Sequence, residues 1–382
     1  MYLQLALLFA VMVIALLFAT GRDLDGSKKL CIQCVTVVIT CFSGFRSWRY
    51  GDLLHYCYNF LQTNLPEWQI DFENRIDTVG LQLVYRFFGQ LGFGFETVIF
   101  VIAAFCAISL GVVVYRYSSS PYFSYLMYIA LGNYMFTFSA LKQAVASAFI
   151  MLSFIFIIEK KPIKFTALVL IAFLFHRPAI LFLLAYIIAN KKIDKYYFMA
   201  LGSAVVAVIF FIDEIVTWFS NLYYDTMEFT VNESVGFKQT MMILIIVFAV
   251  FLRPPKDFDR VYKCTFNIIV TAAIIQSFAI YDNVFTRLAD YFFQFFVIFV
   301  PLMLETGEEQ ALKIPEHADG IKYTYQRYYP FLKIGISAVA VIYYVWTLSP
   351  GGELVENFKF AWQDSGESSL ELLDRFIQDG FL

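Results

Sequence analysis

Several cationic side chains in this sequence stand beside apolar runs, away from its basic loops. An ionisable group at membrane depth is costly, so such a group is a functional candidate by default. Arginine stays charged and can bind two phosphate oxygens at once, so these cations together predict an anionic ligand such as a pyrophosphate. The alternative is that each cation snorkels to lipid headgroups or pairs with a nearby acid. The set is Arg46, Arg49, Arg75, Arg86, Lys142, Arg177, Lys238 and Arg287.

Two side chains near these cations could accept a proton. His176 lies in the middle of a long apolar stretch, directly before an arginine and a proline. Asp52 stands three residues after Arg49 and four before Tyr56, so on a helix these three residues would share a face. A general base of either type must lie within hydrogen-bond reach of the proton it removes. The structural alternatives are a packed histidine and an Arg–Asp pair that closes a loop.

Two more apolar runs open with polar residues. Lys142 and Gln143 begin one run, and Arg287 precedes Asp290 and Tyr291 by about one helical turn at the start of another. An arginine and an aspartate three residues apart on a helix can pair, which is an adequate structural account of Arg287. The functional alternative adds the four residues Lys142, Gln143, Arg287 and Tyr291 to the ligand-binding set.

The composition determines which elements carry these residues. The 382 residues are 60% hydrophobic and only 15% charged, whereas a soluble domain has roughly 45–50% apolar and about 25% charged residues. A soluble globular domain is therefore excluded. A helical span needs about 20 apolar residues, so we predict an all-α, polytopic transmembrane bundle of about 11–12 spans. The apolar runs lie near 2–19, 30–45, 94–115, 121–139, 142–158, 163–175, 178–190, 196–212, 237–252, 262–281, 286–304 and 330–348.

Short lysine and arginine clusters give the orientation, because such clusters favour the cytoplasmic side. The clusters at 160–164, 191–195 and 253–256 alternate with the apolar runs, which puts both termini outside. Because both ends of 163–190 carry lysines, this stretch is predicted to be a broken hairpin with His176 and Arg177 at its apex. Non-helical backbone at depth requires surrounding protein or a water-filled cavity, so we expect a cavity there.

We predict one transmembrane domain over residues 1–348, with external loops at 46–93 and 213–236. Residues 349–382 are predicted to be an external acidic tail that ends in an amphipathic helix. No soluble-enzyme motif is present, neither a glycine-rich phosphate loop nor a G-x-S-x-G or H-E-x-x-H pattern. We therefore expect no metal site and no cofactor. The sequence has no basic face with interleaved aromatic residues, so nothing in it indicates binding to nucleic acid.

The short motifs taken together resemble the EpsG-like family of Wzy-type exopolysaccharide and O-antigen polymerases. In that family an arginine, an aspartate and a tyrosine follow the second span, a basic residue and a glutamine open a middle span, and a histidine follows an A-x-x-F pattern. Lysine stands at the middle-span position where the family usually has arginine. The matching segments here are Arg46/Asp52/Tyr56, Lys142-Gln143, Ala172–Ala179 and Arg287–Phe292.

The resemblance implies a multi-pass, metal-independent membrane glycosyltransferase in the bacterial inner (cytoplasmic) membrane. It would join oligosaccharide repeat units carried on undecaprenyl pyrophosphate into O-antigen or capsular or exopolysaccharide, at the periplasmic face. Its partners would be these lipid-linked oligosaccharides, membrane lipids and a separate chain-length regulator. The base would be His176 or Asp52. The expected substrate-binding residues are Arg46, Arg49, Tyr56, Lys142, Gln143, Arg177, Arg287 and Tyr291.

Other functions use similar residues. A flippase or transporter for lipid-linked oligosaccharide would share the cations without needing a base, although such proteins often show internal repeats and none is found here. A C-type glycosyltransferase using a polyprenyl-phosphate sugar would take Asp52 as its base. An O-antigen ligase typically carries a larger external loop than 213–236. A membrane subunit without a site would have to explain all the external cations by lipid snorkelling alone.

Overall fold

The computed structural model describes most of the chain, in segments separated by short gaps. Their secondary structure is almost entirely helical, with one isolated bridge between Arg46 and Phe360 and no strand among them. The described residues are 2–19, 24–49, 52–66, 68–69, 78–211, 214, 217, 235–252, 259–281, 284–313, 321–348, 358–363, 366 and 368–371.

The α-helices of the described residues have the following bounds. In chain order they are α1 Tyr2–Ala19, α2 Leu24–Gly44, α3 Asp52–Thr63, α4 Val79–Gln90, α5 Phe95–Tyr117, α6 Pro121–Ala130, α7 Phe136–Ser139, α8 Leu141–Ile158, α9 Pro162–Phe175, α10 Leu183–Ala189, α11 Lys195–Phe210, α12 Val235–Leu252, α13 Arg260–Ser277, α14 Val284–Phe293, α15 Phe296–Lys313 and α16 Ile321–Leu348. Short 3-10 turns occur at Asn133–Met135, Arg177–Phe182, Phe278–Ile280 and Ala361–Gln363.

Local sequence accounts for where several of these helices begin. Asp194 and Asp259 cap α11 and α13, because each aspartate side chain accepts a hydrogen bond from the backbone N–H three residues on. Pro121 and Pro162 stand at the first position of α6 and α9, where a missing N–H costs nothing.

Several described helices are long and apolar enough to cross a membrane. By length and hydropathy there are four, and up to five if the pair Val284–Phe293 and Phe296–Glu305, bent by 45°, counts as one span. Shorter apolar helices lie at Tyr2–Phe18, Pro162–Phe175, Arg177–Ala189 and Lys238–Val250. The all-α polytopic bundle is therefore confirmed, and the count of 11–12 spans stays a prediction.

The chain divides into two compact units. The first comprises Met1–Ser153, Ala167–Ile180 and Ile334–Leu382, and the second comprises Phe154–Thr166 and Leu181–Lys333. In the first, α2 packs along α5 and α1, and the buried Tyr134 hydroxyl joins the Gln4 side chain and the Tyr344 hydroxyl. In the second, α13 packs against α10, α12, α14 and α15.

One buried amide fixes the end of a helix inside the second unit. The side-chain N–H₂ of Asn267, on α13, donates to the carbonyls of Ile188, Ala189 and Lys191 at 3.0–3.2 Å. These carbonyls belong to the C-terminal end of α10 and the residues after it, where a helix lacks its own donors. The amide therefore supplies the missing partners and holds the returning arm of the hairpin.

The broken hairpin over 163–190 is confirmed. Helix α9 ends at Phe175, His176 interrupts it, and a 3-10 turn leads into α10. Phe165 near the start of α9 contacts the rings of Phe182 and Tyr186 at 6.0 and 5.2 Å between centroids. The chain therefore turns back on itself around His176, as Pro178 in the sequence led us to expect.

The predicted loops are described only in part. Segment 46–93 holds the short helices α3 and α4, each of which buries one apolar face. Most of 213–236 and residues 372–382 of the predicted tail helix lie outside the described residues. The division into a transmembrane domain, external loops and an external tail stays a prediction.

Candidate functional site

Arg46 is a buried cation held by the ends of two helices. Its side chain is only 3% exposed, and its two terminal nitrogens donate to the carbonyls of Ser43 and Thr137, in the last turns of α2 and α7. The guanidinium also lies 4.8 Å from the ring centre of Phe138. Helix C-termini carry partial negative charge, which suits a cation. Burial lowers the pKa of Arg46 to about 9, so it remains charged at pH 7.

No carboxylate pairs with Arg46 among the described residues. Its Nε is buried without a hydrogen-bond partner there. Since Thr137 comes five residues before Lys142, the bond to its carbonyl ties the segment after α2 to the start of α8. Arg46 therefore carries a positive charge that no described acid neutralises, and it fixes local backbone at the same time.

Arg49 lies in the bend after α2. Its guanidinium stacks over the indole of Trp48 at 4.6 Å, and the Trp48 N–H donates to the Glu96 carboxylate at 2.7 Å. Helix α3 begins only at Asp52, so the expectation that Arg49 shares a helix face with Asp52 and Tyr56 is wrong.

Asp52 and Tyr56 occupy the first two turns of α3. Asp52 is exposed in the first turn, and Tyr56 follows one turn later, half-buried. Helix α3 packs on α4 through an edge-to-face contact between Phe60 and Tyr85, 5.7 Å between centroids. This contact holds α4, whose first turn contains Gly80, against α3.

His176 lies in the break after α9, buried to 8% exposure, with Arg177 half-buried beside it. The α9 end contacts α4, because a Cβ at Gly80 would lie 2.8 Å from the Phe175 ring and 3.0 Å from the carbonyl oxygen of Leu174. Phe175 also stacks on Phe149 of α8, 5.8 Å between centroids. Helices α3 and α8, which bear Asp52 and Lys142, and the end of α9 before His176 are thus linked by packing within the first unit.

Lys142 and Gln143 lie in the first turn of α8. Lys142 is half-buried, whereas Gln143 is 4% exposed and its side-chain nitrogen finds no hydrogen-bond partner among the described residues. The Cys106 thiol of α5 donates to the Ala144 carbonyl at 3.5 Å, which joins this turn to α5. A buried amide donor without a partner is costly, so this position could serve a ligand.

Arg287 and Tyr291 belong to the second unit, so the structure divides the ten predicted residues between the two units, with the other eight in the first. Tyr291 is buried, at 1% exposure. The structural alternative for Arg287, a pair with Asp290, is not formed, because Asp290 bonds Lys238 at 2.5 Å and Lys238 lies over the Phe293 ring at 4.3 Å. Arg287 is exposed and forms no ion pair with the described residues.

Sequence reasoning missed several residues that shape these positions. Glu96, in the first turn of α5, accepts hydrogen bonds from Trp48 and from the serine at 369, and it is not among the residues singled out from the sequence. The Thr137 carbonyl that accepts from Arg46 could not be predicted, because every residue type has a backbone carbonyl. Trp48 beside Arg49 was a usable signal, since arginine often stacks on an adjacent aromatic ring. Among the described residues no group of three histidine, cysteine or acidic side chains could hold a metal ion.

A family model described as the EpsG family matches residues 29–314. The chain belongs to the EpsG family. All ten predicted site residues, from Arg46 to Tyr291, fall inside the matched range. The EpsG-family protein is thus a membrane protein of polysaccharide biosynthesis. No curated protein matches the chain significantly, and no solved structure does so either.

Proposed function

We propose that this EpsG-family protein is a glycosyltransferase that polymerises polysaccharide. It would join oligosaccharide repeat units carried on undecaprenyl pyrophosphate, at the periplasmic face of the bacterial inner membrane. The single observation that carries the proposal is the family match over 29–314, a range that includes both the predicted cations and the two predicted bases.

The reaction would be a displacement at an anomeric carbon. A hydroxyl oxygen of the acceptor sugar forms the new glycosidic bond to the anomeric carbon of the growing chain. The bond between that carbon and the pyrophosphate oxygen breaks, and undecaprenyl pyrophosphate leaves with the electron pair. A base takes the hydroxyl proton. Because pyrophosphate is a good leaving group, no proton donor is required. Fixed cations near its phosphates could supply much of the lowering of the activation barrier.

The exposures of the cations suggest different roles for them. Arg46 has both terminal nitrogens on carbonyls and almost no exposed surface, so it would act through its charge and by fixing its segment. Arg49, Lys142 and Arg177 are half-buried, and Arg287 is exposed, so these four could reach phosphate oxygens. Tyr56, Gln143 and Tyr291 would contribute hydrogen bonds. Arginine suits the task because its planar group binds phosphate at two points.

The two candidate bases differ in environment. His176 is buried at a helix break. Its backbone N–H donates to the Ala172 carbonyl, and its own carbonyl accepts a hydrogen bond from the Ala179 N–H. Asp52 is exposed at the start of α3. A reacting centre from which the protein excludes water favours a base in a buried position. We therefore propose His176 as the base, with Asp52 as the alternative.

The test is complementation of a strain that lacks the protein, read as the surface-glycan ladder on a gel. His176→Ala should give single-repeat glycan at normal membrane levels, because the acceptor hydroxyl loses its base. The matched control is His55→Ala, an exposed histidine on α3, which should give a full ladder. A full ladder from His176→Ala would move the base to Asp52, to be checked with Asp52→Asn. Loss of single-repeat glycan in the deletion strain would favour a flippase or ligase.

A further inference from the structure

Described residues between 358 and 371 form a strap across the segment that carries Arg46 and Arg49. The backbone of Phe360 bridges Arg46 in antiparallel fashion. The Ser47 N–H donates to the Lys359 carbonyl at 2.8 Å, and the Ala361 N–H donates to the Phe45 carbonyl at 2.7 Å. The strap lies beyond the range matched by the family model. Pairing of this kind fixes the register of the two backbones.

Aromatic rings fasten the same stretch. Phe358 stacks on Phe42 of α2, 5.0 Å between centroids and 9° between planes, and it also contacts Phe138 at 5.6 Å. Phe138 is the ring over which the Arg46 guanidinium lies. The strap therefore packs against the Phe138 ring that contacts Arg46. Aromatic pairs of this geometry contribute stabilisation beyond that of buried area alone.

A second point of attachment lies at Ser369, which is fully buried. Its hydroxyl donates to the Glu96 carboxylate, its N–H donates to the same carboxylate at 3.0 Å, and its oxygen accepts the Phe95 N–H at 2.8 Å. Glu96 also accepts the Trp48 N–H. The Arg49 guanidinium stacks on the Trp48 ring. One chain of contacts therefore runs from Ser369 through Glu96 and Trp48 to Arg49.

The strap also meets the Arg49 guanidinium directly. A Cβ added at Gly366 would collide with all three outer atoms of that guanidinium. The guanidinium thus lies with the Trp48 ring and the Gly366 backbone as neighbours, and only glycine allows the approach at 366. A cation placed this way loses few conformations when an anion binds, which favours binding.

We propose that the strap positions Arg49 for pyrophosphate binding, with Ser369 and Glu96 as the positioning residues that hold it. This proposal rests on the proposed function, because it assigns the anion-binding role of Arg49 to a segment outside the family range. Removing the Ser369 hydroxyl takes one donor from the Glu96 carboxylate and the acceptor from the Phe95 N–H, which weakens this attachment of the strap. Trp48 and Arg49 then lose their fixed orientation.

The experiment measures binding of farnesyl pyrophosphate to the purified full chain in detergent, with farnesol as the uncharged control. Ser369→Ala should weaken binding about tenfold, because the misplaced Arg49 would lose about one charged hydrogen bond to the pyrophosphate. Ser368→Ala is the matched control, since Ser368 is exposed and its bonds to described residues are only those with Glu371, and this variant should bind as the wild type does. Gly366→Ala, which displaces Arg49 without touching Ser369, should weaken binding as well.

A double-mutant cycle separates positioning from general damage. If Ser369 acts through Arg49, Ser369→Ala in an Arg49→Ala background should weaken binding no further. Unchanged or tighter binding by Ser369→Ala and Gly366→Ala, equal weakening by Ser368→Ala, or additive losses in the cycle would each overturn the strap proposal. A wild-type protein that does not bind farnesyl pyrophosphate would overturn the proposed function itself, and the strap's role would fall with it.

Discussion

Arg46 in the first unit and Arg287 in the second are both arginines beside apolar helices, yet their surroundings are opposite. Arg46 is 3% exposed and donates to two carbonyls. Arg287 is exposed, and the acid one turn away, Asp290, is bonded to Lys238 instead. Arg46 is fixed by the fold, whereas Arg287 is exposed and forms no ion pair with the described residues.

The difference separates two ways of keeping positive charge uncompensated. At Arg46 the negative ends of two helices stabilise the charge, and a neutral partner leaves the net charge in place. At Arg287 the acid one turn away, Asp290, is bonded to Lys238, and the arginine forms no ion pair with the described residues. Stability should therefore depend on Arg46 and Lys238, whereas ligand binding should depend on Arg287.

The largest expected loss of stability comes from Lys238→Ala. Both members of the pair are mostly buried, at 16% and 9% side-chain exposure, so the change leaves an unpaired carboxylate. Breaking such a pair costs about 3–5 kcal/mol. The measurement is the thermal unfolding midpoint of the purified protein in detergent. Lys161→Ala is the control, because its pair with Glu159 is exposed and should contribute less than about 1 kcal/mol.

Lys238→Ala with Asp290→Asn sharpens the comparison. The double variant has no unpaired charge, so it should recover most of the lost stability. If the single variant unfolds at the wild-type temperature, the pair is not a stabilising element and the contrast with Arg46 fails.

Arg46→Ala should cost somewhat less, about 2 kcal/mol, because two buried carbonyls lose a donor. The control is Arg86→Ala, since Arg86 also donates to two carbonyls, those of Thr63 and Leu65, at 3.1 Å but is only half-buried. The Arg86 variant should lose less stability than the Arg46 variant in the same thermal measurement. Equal losses would mean that burial is not what distinguishes Arg46.

Much of the architecture follows from sequence patterns that act locally. The apolar runs, the proline after His176 and the lysines at both ends of 163–190 predict helices and a broken hairpin, and both are found. These features depend on residues close together in the chain. The number of spans is harder to predict, because several apolar helices are shorter than a full span.

The pairing of the polar side chains could not be predicted in the same way. Arg287 and Asp290 stand at the spacing of a helical pair, but Lys238, 52 residues away from Asp290, forms the bond. Arg46 is likewise held by a carbonyl 91 residues away, which any residue type could provide. Such contacts depend on how helices pack, and spacing along one helix does not encode them.

Arg287→Ala should change stability least and function clearly. An exposed side chain without an ion pair among the described residues contributes within about 0.5 kcal/mol, so the unfolding midpoint should stay at the wild-type value. Loss of a charged hydrogen-bond donor to pyrophosphate should weaken farnesyl pyrophosphate binding about tenfold. Arg287→Lys should lie between, because lysine keeps the charge without the paired donors. Lys192→Ala, which removes another exposed cation of the second unit, should leave both quantities unchanged. A destabilised Arg287→Ala protein, or one that binds normally, would show that this arginine is no freer for a ligand than Arg46.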